Sequence, residues 1–194
     1  MKRRSVGRQA VLGLSGANLA LASGLVLGLV SFGAVSAQAL TLGVPVIQQE
    51  KTNWCWAASS KSVLNYHGAA SGASQCTIVK KAKGGACPNE TGSFYGDLDE
   101  IYNAYSRAPG TKVAWLTNFA TLKSRVDAGR PPQVRYGYPP FLSSGHVITV
   151  MGYQGTDKVY WIDPADGKIK NGTWGHLSSN SSWTSTHTRY NQGV

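Results

Sequence analysis

Asn53-Trp54-Cys55-Trp56-Ala57-Ala58-Ser59-Ser60-Lys61-Ser62-Val63-Leu64 decides how this chain folds and where its chemistry lies. Two tryptophans bracket a cysteine, Asn53 is a residue type that caps helices well, and the run that follows favours a helix. The pattern predicts a helix over residues 54–66, stopped by His67-Gly68, with Cys55 in its first turn. Unpaired backbone N–H groups at that end carry partial positive charge, which favours thiolate over thiol. Six residues upstream stands Gln49, an amide able to donate a hydrogen bond to a developing oxyanion. Gln48 beside it is the rival donor, and the spacing to Cys55 favours Gln49.

Towards the N-terminus the chain begins Met1-Lys2-Arg3-Arg4, with Arg8 following, and then carries no charge from Gln9 to Gln49. An apolar stretch over residues 19–32 ends in Ser36-Ala37-Gln38-Ala39. A basic start, an apolar middle and an Ala-x-Ala end form the pattern of a secretory signal peptide, here residues 1–39. The Arg3-Arg4 pair resembles a twin-arginine signal. Gly13, Gly16, Gly24 and Gly28 interrupt the apolar run, which argues against a retained membrane anchor. The expected location is therefore secreted or periplasmic, with no stable membrane association once the leader is gone. Only 15 residues separate Ala39 from Cys55, so no inhibitory N-terminal prodomain is expected and control must come from elsewhere.

Residues 40–194 are enough for one domain with a real core. The leader holds four of the 19 Lys and Arg and none of the nine Asp and Glu, which leaves 15 basic against nine acidic residues, a net +6. The charges are scattered, with no arginine-rich helix or aromatic-basic sheet motif, so no nucleic-acid partner is expected. A monomer acting on a protein or peptide is the simplest arrangement. Three cysteines in an exported chain leave one thiol unpaired. Cys76 and Cys87 flank the short segment 77–86 and form the natural disulfide pair, with Cys55 left over. No Cys-x2-Cys or His-x3-His spacing occurs, so no zinc, other metal or cofactor is expected.

Downstream, residues 68–92 read as a loop or short helix clamped by that disulfide. Leu98, Ile101, Tyr102 and Tyr105 share one face of a helix over 97–105, and Asn118 caps another in which Phe119, Leu122 and Val126 align, ending at Gly129. Then the character changes to strands at 132–138, 146–153 and 158–162, with turns at 154–157 and 163–167. Helices first and an antiparallel sheet second predict an α+β fold. The tail, 171–194, is rich in Ser, Thr, Trp and Asn.

A cysteine nucleophile needs a base, a group to orient that base, and oxyanion donors. His146 is the best base, at the mouth of a strand, and Asp163 the best orienter, at the end of the next strand. A hairpin of this length brings the two together. His67 reads as a helix-end polar residue, His176 and His187 as surface residues of the tail, and Asp166 as a turn residue. Trp54 and Trp56 read either as anchors beneath the helix or as lining of the cleft.

Gln49-x5-Cys55-Trp56-Ala57, with the later Gly145-His146-Val147 and Asp163-Pro164, resembles the motifs of papain-like cysteine proteases, in particular their small bacterial branches. Those include plant-pathogen effector proteases and bacteriocin-leader-processing peptidases. The resemblance implies a papain-like fold, a helical half carrying the nucleophile and a β-sheet half carrying the base. It implies an exported endopeptidase with Cys55 as nucleophile, His146 as base, Asp163 as orienter and Gln49 in the oxyanion hole. Two departures stand out. Cys55 and His146 are separated by fewer residues than in papain, and the third member is Asp rather than Asn. Related acyl-transfer enzymes, such as a peptidoglycan amidase or a transglutaminase-like crosslinker, use the same machinery, and an inactive binding module would keep the same fold.

Overall fold

The computed structural model describes residues 38–194, so all but the last two positions of the predicted leader lie outside the described residues. In chain order the elements are β1 (Ala39–Thr41), α1 (Cys55–Tyr66), α2 (Gln75–Ala82), α3 (Gly96–Ala104), β2 (Thr111–Val113), α4 (Phe119–Asp127), β3 (Gln133–Gly137), β4 (Gly145–Gln154), β5 (Lys158–Asp163), β6 (Lys168–Thr173), α5 (Trp174–Ser178) and β7 (Thr184–Tyr190). The strands form one seven-stranded antiparallel sheet in the order β2-β7-β3-β4-β5-β6, with β1 pairing β4 as well. This is the α+β arrangement expected. Among the described residues no helix is long and apolar enough to cross a membrane.

Strand β4 is the axis of the fold, and its residues alternate between two cores. Val147 packs with the α1–α3 cluster that includes Trp54, Leu64, Ile78 and Leu98. Ile148 and Val150 pack with Leu122 and Val126 of α4 and with Val134 and Tyr136 of β3. Both faces of β4 are thus covered, which explains a strand of continuous rather than alternating hydrophobicity. Helix α1 can lie close to it because Ala57, Ala58, Ser59 and Ser60 are small and buried. Ser59 Oγ donates to Val147 O at 2.9 Å.

Helices α3 and α4 follow their sequence signals. Asn118 caps α4 by accepting from Thr121 N, and Leu98, Ile101 and Tyr102 are fully buried. Two expectations need correction. Asn53 does not cap α1; the N-cap residue is Trp54, without a side-chain hydrogen bond, and Asn53 instead reaches across to Asn89 O. The polar tail contributes β7, which lies between β2 and β3, so His187 is half-buried between the rings of Phe94 and Tyr95 rather than a surface residue. Beside it Arg189 is fully buried, where its guanidinium pairs with Asp99 at 2.7 Å and lies over Phe94 and Tyr102.

Candidate active site

Two constraints hold Cys55 at the start of α1. The first is the strap of residues 87–92. Cys87 is disulfide-bonded to Cys76 of α2, with Cα atoms 5.3 Å apart. The strap then takes the two flanking indoles in turn: Trp54 Nε1 donates to Pro88 O at 2.8 Å and Trp56 Nε1 to Glu90 O at 3.1 Å. Gly92 lies flat against Trp56, where a Cβ would sit 2.2 Å from the ring. The second constraint is the bond from Ser59, one turn into the helix, to β4. Both indoles are buried, but only Trp56 also lines the cleft. With no side chain capping α1, its first N–H groups, that of Cys55 included, lack an intrahelical acceptor and remain for a ligand.

Across the cleft, His146 is the second residue of β4 and Asp163 closes β5. His146 Nε2 and Asp163 Oδ1 are 2.7 Å apart, both side chains almost fully buried. Use of Nε2 leaves Nδ1 as the ring nitrogen for Cys55. Asp163 Oδ1 also accepts from Ala165 N at 3.0 Å, and its Oδ2 accepts from Lys170 Nζ at 2.7 Å. Burial works against the charge on both residues and is outweighed in each. Hydrogen bonds and electrostatic attraction to Asp163 and Cys55 lift the His146 pKa to about 9. Hydrogen bonds from His146, Lys170 and Ala165 hold Asp163 well below the usual carboxylate range. The pair is therefore imidazolium and carboxylate at neutral pH. Tyr136 packs against the His146 ring at 5.4 Å and is itself stacked on Trp183 at 4.9 Å, which fixes the ring from its other side.

Cys55 and His146 share a cleft of about 430 Å³ with Gln49, Trp56, Arg135 and Ser144, in the size range of ligand sites. Cys55 is the free cysteine and is 9% exposed. Gln49 lies in the lining, but its Nε2 donates to Lys51 O and Thr52 O at 2.9 and 2.7 Å, and its Oε1 is buried without a partner. Its amide thus braces the loop leading into α1 in this conformation. Gln48 is not in the lining: its backbone carbonyl accepts from Gln75 Nε2 and its side chain lies beside Gly167. Asp166 accepts from Lys168 N in the turn and pairs with Lys170 at 3.2 Å, behind the Asp163 carboxylate. His67 and His176 are not part of the cleft.

Sequence reasoning missed Lys170 and Arg135. Both sit on strands whose pairing brings them to the site, and neither belongs to a short motif. The signal for Lys170 was its place one hairpin after Asp163; none pointed to Arg135.

A thiol at a helix start, facing a buried imidazolium–carboxylate pair from an antiparallel sheet, defines a papain-like cysteine-peptidase type of protein. The chain belongs to the Peptidase_C39 like family, whose model matches residues 41–191. No curated protein matches it.

Proposed function

We propose that the protein is an exported endopeptidase that cleaves peptide bonds through Cys55, His146 and Asp163. The observation that carries this reading is the 2.7 Å bond from His146 Nε2 to Asp163, which leaves Nδ1 turned to the cleft that Cys55 shares. The Cys55 thiolate attacks the scissile carbonyl carbon, and the electron pair of the C=O bond moves onto oxygen. The Cys55 N–H and the Gln49 amide receive that oxyanion, Gln49 by turning from its loop carbonyls. As the tetrahedral intermediate collapses, the C–N bond breaks and the His146 imidazolium gives its proton to the leaving amine. Neutral His146 then takes a proton from water, whose oxygen attacks the thioester, and the acid product leaves as the thiolate–imidazolium pair returns. Asp163 keeps the imidazole ring oriented throughout.

Residues 1–39 act as the export leader and the protein works outside the cytoplasm, where the Cys76–Cys87 bridge is stable. A chain cut after Ala39 keeps the β1 pairs Leu40–Tyr153 and Thr41–Gly152. Its relatives by motif are the small bacterial effector and leader-processing proteases, and it acts as a monomer on protein or peptide. The test is a mixed peptide library and a muropeptide digest, each read by mass spectrometry beside Cys55→Ala. Cleavage of peptides that disappears in the variant supports the reading; cleavage of muropeptides alone replaces it with a cell-wall amidase.

A further inference from the structure

Arg135 stands mid-way along β3 and lines the same cleft as Cys55 and His146. Its guanidinium is half-buried. Nη1 donates to Thr186 Oγ1 at 2.7 Å, and Nη2 donates to Leu142 O at 3.2 Å and Ser143 O at 3.0 Å. Every one of these acceptors is neutral. Among the described residues no carboxylate lies within ion-pair distance of Arg135. Among the described residues no Asp or Glu lines the cleft, and Arg135 and His146 are its basic side chains.

The same sheet handles a second buried arginine differently. Arg189, on neighbouring β7, is given Asp99 as a counter-charge. A half-buried cation without a carboxylate partner is unfavourable, and burial lowers the Arg135 pKa, an effect that nearby Cys55 opposes. A brace for the loop 138–144 would need only neutral donors. The chain instead keeps a permanent charge. A Cβ at Gly145 would fall 2.3 Å from Tyr136 O, which alone requires glycine beside His146, and 2.9 Å from Arg135 Nη2, so the guanidinium packs directly over that glycine. Three of the five Arg135 N–H groups are used within the protein, which leaves two for a ligand.

We infer that Arg135 sets specificity by receiving a substrate carboxylate close to the scissile bond, so that acidic peptides are the preferred class. This rests on the peptidase reading above. The carboxylate belongs either to an Asp or Glu side chain or to the C-terminus of a short peptide; the chemistry at the guanidinium is the same.

The test compares kcat/KM for peptide pairs that differ only in charge: Glu against Gln and Asp against Asn at each position flanking the cleaved bond, and C-terminal acid against C-terminal amide. Wild type should favour the acid by about tenfold or more at one position, the scale of a hydrogen bond to a charged group. In Arg135→Gln that ratio should fall to about one, and Arg135→Lys should restore part of it. Preference confined to the acid/amide pair assigns the carboxylate to a chain end; preference at an internal position assigns it to a side chain. A variant that slows both members of a pair equally while the ratio persists would make Arg135 a loop brace only and overturn the inference. Equal rates for wild type on every pair overturn it whether or not any variant folds. Absence of Cys55-dependent cleavage on all peptides overturns the peptidase reading itself and this inference with it.

Discussion

Ser59 Oγ donates to the carbonyl of Val147, joining helix to strand over a separation of 88 residues. Ser59 is one turn beyond Cys55, and Val147 follows His146. Thr149 Oγ1 returns a weaker bond to Ser59 O at 3.4 Å. Cys55 and His146, the proposed nucleophile and base, therefore sit on two elements pinned within a turn of both residues.

Removing that pin should show in both stability and rate. Ser59→Ala leaves the buried Val147 carbonyl without its side-chain donor, for which about 1–3 kcal/mol is typical. Thermal melts should register that loss. Because the shift is in alignment rather than in substrate contacts, kcat should fall more than KM rises.

The pH dependence follows from His146. Its pKa in the folded protein is raised from 6.5 to about 9, so the imidazolium needed by the leaving amine is lost as pH rises through about 9. Activity should fall on that limb. The stabilisation from the His146–Asp163 pair is likewise complete below 6.5 and lost as pH climbs through about 9. Asp163→Asn removes the anion, so the alkaline limb should move towards neutrality and kcat should drop by ~10²-fold or more. Asp163 has a lowered pKa, so its own contribution is present above its ordinary value of 3.8 and is lost only as pH falls towards the lowered one. A pH–rate profile and a pH–melting series measure these effects.

Gln49→Ala separates two roles for one amide. As an oxyanion donor Gln49 is worth ~10²–10³ in kcat. As the brace seen at Lys51 O and Thr52 O, its loss would chiefly lower the melting temperature. The proposed mechanism expects the large kcat loss, with cleavage still measurable, whereas Cys55→Ala should leave none.

Gly92→Ala probes the strap. The added methyl meets Trp56 at 2.2 Å, and the backbone there has to move. Overpacking of this kind destabilises by about 1–3 kcal/mol. Trp56 follows Cys55, so the variant should lose activity well below its melting temperature, and tryptophan fluorescence should report the displaced ring.

The helical half was legible because its signals are local. Helical periodicity gave α3 and α4, and Asn118 announced its own cap. The contact between His146 and Asp163 was legible too, because a tight hairpin makes two neighbouring strands nearly a local matter. What stayed hidden was non-local. Strand β7 reads Thr-Ser-Thr-His-Thr-Arg-Tyr, a mostly polar run whose place beside β3 comes from pairing partners more than forty residues away. Arg135 and Arg189 sit on those paired strands, and nothing in the flanking residues separates the compensated charge from the uncompensated one. Asn53 misled for the opposite reason: a good capping residue was taken by a tertiary bond to Asn89.

The strap over Cys55 also bears on how the enzyme should be handled at the bench. Thiol reagents added to keep the sulfur of Cys55 free will also attack the Cys76–Cys87 bridge that anchors the indole-holding segment. Opening that ring of 11-residue separation removes ~3 kcal/mol by the loop-entropy relation. Turnover plotted against dithiothreitol should consequently rise, peak and decline, and in Cys76→Ser/Cys87→Ser only the rising branch should remain.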